Sequence, residues 1–145
     1  MRIIQRATAF GTTAASLLIG GLVCLSNVAF GADAVPMLTG AQEVPPVTTT
    51  ARGVNKLAVG TDRSVTGSVE TMGLESSMAH IHLGAAGTNG PVVVTLIKTG
   101  PSTWSVPGDT RLTEAQYASY RHGDLYVNVH SALHPAGEMR LQLAP

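Results

Sequence analysis

Histidines are the residues whose type and spacing in this sequence could support chemistry. His80 and His82 are separated by one residue, and side chains alternate along a β-strand, so both imidazoles would point to the same face. Their Cα atoms would then lie about 6.5 Å apart. This spacing lets both rings bind one metal ion, because zinc and copper take imidazole nitrogens at about 2 Å.

A third imidazole comes from a later segment. His130 ends a run in which apolar Val127 and Val129 alternate with polar residues, so its side chain would lie on the face opposite theirs. If this strand pairs with the strand that carries His80, His130 supplies a third ligand. Further ligands could come from two loop histidines or, for Cu(I), from two thioethers: His122, His134, Met78 and Met139.

A buried polar network is the alternative to a metal site. Histidines on strands are often structural groups, and in such a network every polar atom must be satisfied. The set of His80, His82 and His130 fits either interpretation. For His122, beside a predicted helix end, the pattern favours a structural role with the helix dipole. His134 precedes Pro135 and Gly137 in a turn whose geometry needs no ligand.

Other catalytic arrangements find no support in the sequence. The glycine-rich stretch 84–90 lacks the Lys-Ser/Thr that follows a phosphate-binding loop. No Ser-His-Asp or Cys-His arrangement can be argued, so we expect the protein not to be an enzyme. The spacing of the acidic residues places no two together, and we expect them on the solvated surface: Glu43, Glu70, Glu75, Asp124 and Glu138.

Short strands are the elements that must position these residues. Segments with alternating or β-branched apolar residues are separated by turn signals, including a hairpin connection at 61–63. The run 92–98 is nearly continuous in β-branched apolar residues, as is typical of a buried strand, and Trp104 is expected against the core. The predicted strands are 35–39, 54–59, 64–71, 77–83, 92–98, 125–130 and 138–143.

One helix is predicted from its capping residues. Thr113 and Gln116 can form a capping box, and Gly123 can end the helix, which would run from residue 114 to about 121. A single short helix among many strands predicts an all-β fold, an antiparallel β-sandwich or a related barrel.

The N-terminal segment predicts export. Arg2 and Arg6 precede an apolar run at 14–25 and then small residues, which is the order of a secretory signal peptide over 1–31, with cleavage near Gly31 to Ala34. The apolar run is shorter than the roughly 20 residues that span a bilayer, so we expect no membrane span. The mature domain would be 35–145, in the periplasm or secreted.

Cysteine and charge limit the possible partners. Cys24, the one cysteine, follows Val23 rather than a small residue, which disfavours lipidation, and its removal with the signal would leave no thiolate ligand or disulfide. Nine basic and nine acidic residues balance without a basic cluster, so nucleic acid is not expected as a partner.

Three segments in order resemble the CHRD domain family. They are LTGAQEVPPV at 38–47, AHIHLG at 79–84 with NGPVV at 89–93, and GDLYVNVH at 123–130 with PAGEMR at 135–140. The resemblance extends over about residues 37–143. It implies an exported β-sandwich of immunoglobulin-like or superoxide-dismutase-like character, histidines at positions 80, 82 and 130, and no generally assigned enzymatic activity.

These observations favour an exported metal-binding module that acts in periplasmic metal handling. Copper is favoured over zinc because imidazole sites bind Cu(II) more tightly than Zn(II). One alternative is a non-catalytic structural or protein-interaction module with structural histidines. Another is a copper-dependent dismutase-like enzyme, which is disfavoured because five histidines and no mature cysteine are too few for a copper–zinc site with its usual disulfide.

Overall fold

Two antiparallel sheets form the body of the molecule. A computed structural model describes residues 35–145, so the predicted signal peptide at 1–31, its cleavage site and Cys24 lie outside the described residues. The first sheet contains, in spatial order, β1 (Met37–Leu38), β2 (Arg52–Asn55), β5 (Ser68–Met72), β9 (Thr103–Ser105) and β8 (Ile97–Gly100). The second contains β11 (Met139–Leu143), β10 (Leu125–Ser131), β6 (Ser76–Leu83) and β7 (Val92–Thr95). A small hairpin joins β3 (Ala58–Val59) to β4 (Val65–Thr66).

The hydrophobic core lies between the two large sheets. Apolar side chains at alternate positions of β6 and β10 face side chains of the first sheet, because period-2 alternation puts one face of each strand inside. The buried apolar residues include Leu38, Val69 and Trp104 from the first sheet and Ala79, Ile81, Leu125, Val127, Val129 and Met139 from the second. The predicted all-β sandwich with one short helix is confirmed.

The pairing of β6 with β10 determines where the polar side chains meet. The two strands are antiparallel neighbours, with Asn128 opposite His80 and Tyr126 opposite His82. The inward positions of both strands are apolar, so the polar residues lie together on the outer face of the second sheet. The pairing on which the third ligand depended is therefore present.

The helix α1 spans Glu114–Arg121, as its capping residues predict. Thr113 Oγ1 accepts a hydrogen bond from the Gln116 backbone N–H at 3.2 Å, and Gln116 Oε1 accepts one from the Thr113 N–H at 2.8 Å. Gly123 follows with φ +79°, the left-handed conformation that glycine favours after a helix. Within residues 35–145, no helix has both the length and the hydropathy needed to cross a membrane.

The prediction of one buried strand over 92–98 is wrong. The chain changes sheet at Leu96, which gives β7 and β8, and each strand lies at the edge of its sheet. Val94 and Leu96 are buried, whereas Val92 and Ile97 are about half exposed. β-Branched residues suit a strand at either an edge or the centre of a sheet, so residue type alone did not determine burial.

The predicted strands 54–59 and 64–71 are each interrupted. The second breaks at Gly67, which has φ +97° and whose absent Cβ would collide with the Lys56 backbone oxygen. This close approach of two backbones is possible only for glycine. The connection at 61–63 forms the β3–β4 hairpin, and Trp104 is buried in the core, as expected.

Candidate metal site

Three histidines converge on the outer face of the second sheet. His80 and His82 come from β6 and His130 from β10, and one nitrogen of each ring lies within 4.8 Å of the others. The structure thus brings together the three residues that the sequence singled out. Two nitrogens bound to one ion at about 2 Å can be no more than about 4 Å apart, so ring movements of about 1 Å would close the set around an ion.

Backbone carbonyls determine which nitrogens are free to bind. His82 Nδ1 lies 3.0 Å from the Gly90 oxygen, and His130 Nδ1 lies 3.0 Å from the Pro135 oxygen. A carbonyl only accepts, so both Nδ1 atoms carry the proton and both Nε2 atoms carry the lone pair. Metal-ligating histidines typically donate their second ring N–H in this way, which orients the ring toward the ion.

The closest contact within the cluster is between two imidazoles. His80 Nδ1 lies 3.0 Å from His130 Nε2. Since His130 Nε2 carries a lone pair, His80 Nδ1 donates in this contact. A bound ion would replace that shared proton, and His80 would then carry its proton on Nε2.

The Nε2 atom of His82 distinguishes the two interpretations of the cluster. It is buried and has no hydrogen-bond partner among residues 35–145. Buried polar atoms in structural networks are nearly always paired, because an unpaired one costs about 1–3 kcal/mol. The arrangement therefore fits a group that could bind a metal ion better than a fully satisfied polar network.

Burial lowers the pKa of all three histidines below the ordinary 6.5. Desolvation is the main cause at each. Neighbouring imidazoles add to it at His80 and His130, while the hydrogen bond to Pro135 opposes the shift at His130. At His82 the Arg140 cation also lowers the pKa, while the bond to Gly90 opposes the shift. Neutral imidazole is the form that binds metals, so the cluster is in its binding form at neutral pH.

The His82 ring packs against Tyr126, which in turn contacts Arg140. The Tyr126 ring lies parallel to the His82 ring, with centroids 4.8 Å apart and an interplanar angle of 6°. The Arg140 guanidinium carbon lies 3.4 Å from the Tyr126 centroid, and the strand of Tyr126 lies between the strands of His82 and Arg140. Arg140 is itself fixed by the carbonyls of Thr88 and Ala85, at 2.8 and 3.1 Å. His82 therefore packs against a rigid surface.

The four possible additional ligands have different positions. Met139 is fully buried in the core and pairs with Val129, so it faces away from the histidines and the expectation that it could be a ligand is wrong. His122 caps the end of α1 and His134 lies in the turn before β11, and neither belongs to the convergent group. Met78 shares the face of His80 and pairs across the strands with His130.

Two carboxylates contradict the expectation of a solvated surface. Glu43 and Glu138 are only 5% and 6% exposed. Glu43 Oε1 accepts a hydrogen bond from Asn128 Nδ2 at 2.7 Å, and Glu138 Oε1 accepts one from Thr49 Oγ1 at 2.7 Å. Desolvation raises the pKa of Glu43 to about 7, against the opposing attraction of Arg140. Glu43 and Asn128 are 85 residues apart, and no local pattern signals such a contact.

The family comparison agrees with this architecture. The model of the CHRD domain matches residues 36–143. Comparison with curated proteins and with solved structures gave no significant match. Because the family match covers nearly all of the described residues and most of the chain, the protein belongs to the CHRD domain family.

Proposed function

We propose that this CHRD-domain protein is an exported metal-binding protein that uses His80, His82 and His130 as ligands and serves in periplasmic metal handling. The observation that supports it best is the convergence of three neutral imidazoles, with His82 Nε2 buried and unpaired among residues 35–145. Export rests on the signal-peptide pattern of residues 1–31.

Copper is the proposed ion, with zinc second. Imidazole suits both metals, and the general affinity order for divalent ions places Cu(II) above Zn(II). We propose binding rather than catalysis. The proposal rests on the cluster of three imidazoles, and we assign no nucleophile or acid–base pair to this cluster.

Metal titration tests this proposal. We expect the purified protein to bind one Cu(II) ion per chain, and His82→Ala to weaken binding by more than about 100-fold, since loss of an outer-shell partner alone costs 10- to 100-fold. Competition against a chelator of known affinity, repeated with Cu(I) and Zn(II), gives the affinities. Metal analysis of protein isolated from its own compartment identifies the bound ion.

His122→Gln is the matched control, because it removes an imidazole that lies at the helix end. It should bind metal like the wild type. Equally weak binding by the wild type and His82→Ala would refute the proposed function.

A further inference from the structure

Two buried side-chain atoms lack a hydrogen-bond partner within residues 35–145. One is His82 Nε2, already placed in the site, and the other is Asn128 Oδ1. Asn128 is 3% exposed, so water does not compensate for this oxygen at the protein surface. A buried amide oxygen without a hydrogen-bond partner is unfavourable for folding, and such groups are rare in folded proteins.

Asn128 lies on the face of the second sheet that carries the three histidines. It is directly opposite His80 on the neighbouring strand and two residues before His130 on its own strand. Directly opposed residues have Cβ atoms about 5 Å apart, and residues two apart on a strand share a face. The amide is therefore within side-chain reach of the imidazoles on both strands.

The orientation of the Asn128 amide is fixed by its nitrogen. Nδ2 donates to Glu43 Oε1 at 2.7 Å. A Cβ on Gly137, which leads into β11, would collide with the same Nδ2 and would lie 2.8 Å from both Glu43 carboxylate oxygens. The nitrogen thus faces Glu43 and the β11 side. The oxygen leaves the same carbon in a different direction and so does not face Glu43, and β6 with His80 is the neighbouring strand on the side away from β11.

We propose that Asn128 Oδ1 is the fourth donor of the metal site, which completes a set of three imidazole nitrogens and one amide oxygen. This inference rests on the proposed function. An oxygen donor is harder than a thioether, so the set favours a divalent ion, Cu(II) or Zn(II), over Cu(I). Glu43 is then a positioning residue, because its bond to Nδ2 prevents the amide from presenting its nitrogen to the ion.

Met78 is the competing fourth donor. It shares the face of His80 and pairs with His130, but it is 42% exposed and would contribute a soft sulfur that favours Cu(I). If Asn128 is the fourth donor, Asn128→Ala should shift the preference of the site toward Cu(I). If Met78 is the donor, Met78→Ala should shift it toward Cu(II).

The test compares Asn128→Ala with Met78→Ala and with Asn55→Ala, which removes an amide from the other sheet. We expect Asn128→Ala to lower Cu(II) and Zn(II) affinity by about 10- to 100-fold while Cu(I) affinity changes little. The absorption spectrum of the Co(II)-substituted protein should also change. Met78→Ala and Asn55→Ala should leave the divalent affinities and this spectrum unchanged.

A swapped pair separates ligation from structural support. In Asn128→Asp with Glu43→Gln, the amide of residue 43 can donate to the new carboxylate, so the hydrogen bond is kept while an oxygen donor with a negative charge faces the site. We expect divalent ions to bind this variant at least as tightly as the wild type. The swap decides the question if Asn128→Ala does not fold.

Each outcome has a defined meaning. If the wild type binds no ion, the proposed function fails and this inference fails with it. If the wild type binds and His82→Ala does not, but Asn128→Ala equals Asn55→Ala in affinity and Co(II) spectrum, only the role of Asn128 is refuted. The same holds if the swapped pair folds but binds divalent ions more weakly than the wild type.

Discussion

At the scale of single residues, His82 shows how the fold orients the side chain of a proposed metal ligand. Its Nδ1 is bonded to the Gly90 carbonyl and its ring packs on Tyr126. The ring conformation is therefore ordered when the protein folds rather than when an ion binds. Preorganisation of this kind improves affinity, because the entropy of ordering the side chain does not have to be lost on binding.

The raised pKa of Glu43 predicts how the stability of the fold depends on pH. Its pKa rises from the ordinary 4.5 to about 7 on folding, so between these values the folded state binds more protons than the unfolded state. Stability contributed by this carboxyl therefore falls as pH rises from 4.5 to 7. The histidines act in the opposite sense, because their pKa values are lowered and the unfolded chain binds more protons near pH 6.5.

Glu43→Gln separates the two effects, since it removes only the carboxyl. We expect the variant to gain roughly 3 kcal/mol in free energy of unfolding relative to the wild type between pH 4.5 and 7.5, at about 1.4 kcal/mol per pH unit of pKa difference. Urea denaturation across this range with a chelator present measures it. A difference between the two proteins that does not change with pH would contradict the prediction.

At the scale of elements, two loops supply the backbone carbonyls that orient the histidines on the outer face of the second sheet. The segment between β6 and β7 supplies the Gly90 carbonyl to His82 and the Thr88 and Ala85 carbonyls to Arg140. The segment before β11 supplies the Pro135 carbonyl to His130. The strands provide the direction of the imidazoles, and the loops provide their protonation pattern.

Gly90→Ala tests the contribution of the first loop. An added Cβ would collide with the backbone oxygen of Leu83 and lie 2.8 Å from its carbonyl carbon, and a backbone group cannot rotate away. We expect a loss of about 2 kcal/mol of stability. Displacement of the Gly90 carbonyl should also weaken metal binding by roughly tenfold.

Gly108→Ala is the matched control for that variant, because an added Cβ there meets no atom within 4 Å. Denaturation and metal titration of both variants provide the comparison. Normal metal affinity in a destabilised Gly90→Ala protein would show that the carbonyl does not orient His82.

Local patterns account for the parts of the molecule that could be predicted from sequence. Alternation placed His80 and His82 on one face, and the capping box located α1 to the residue, because both depend on neighbours in the chain. The sheet change at Leu96 and the burial of Glu43 depend on contacts with distant segments. The residue types around Leu96 suit an edge strand as well as a central strand. The residue types around Glu43 do not distinguish a buried carboxyl from an exposed one.

At the scale of the whole molecule, the site is continuous with the core. β6 and β10 place histidines on their outer face and the buried side chains Ile81 and Val127 on their inner face. A ligand that holds the two strands together therefore stabilises the sandwich as a unit. By mass action, an ion present at 100 times its dissociation constant adds about 2.7 kcal/mol to the stability of the folded state.

Thermal unfolding measures this linkage. We expect Zn(II) at that excess to raise the Tm by about 10 °C for a domain of this size. His82→Ala should show little or none of this increase. A rise of equal size in His82→Ala would mean that the ion stabilises the protein from another site.

The passage of the chain through Leu96 has a further consequence. β7 is hydrogen-bonded to β6, β8 belongs to the opposite sheet, and Leu96 between them donates its N–H to the Ala79 oxygen at 3.0 Å. The continuous segment β7–β8 thus connects the two sheets beside the strand that carries His80 and His82. Separating the layers there would break hydrogen bonds in both sheets, so we expect any exchange of an ion at the proposed site to involve side-chain rotation while the sandwich stays closed.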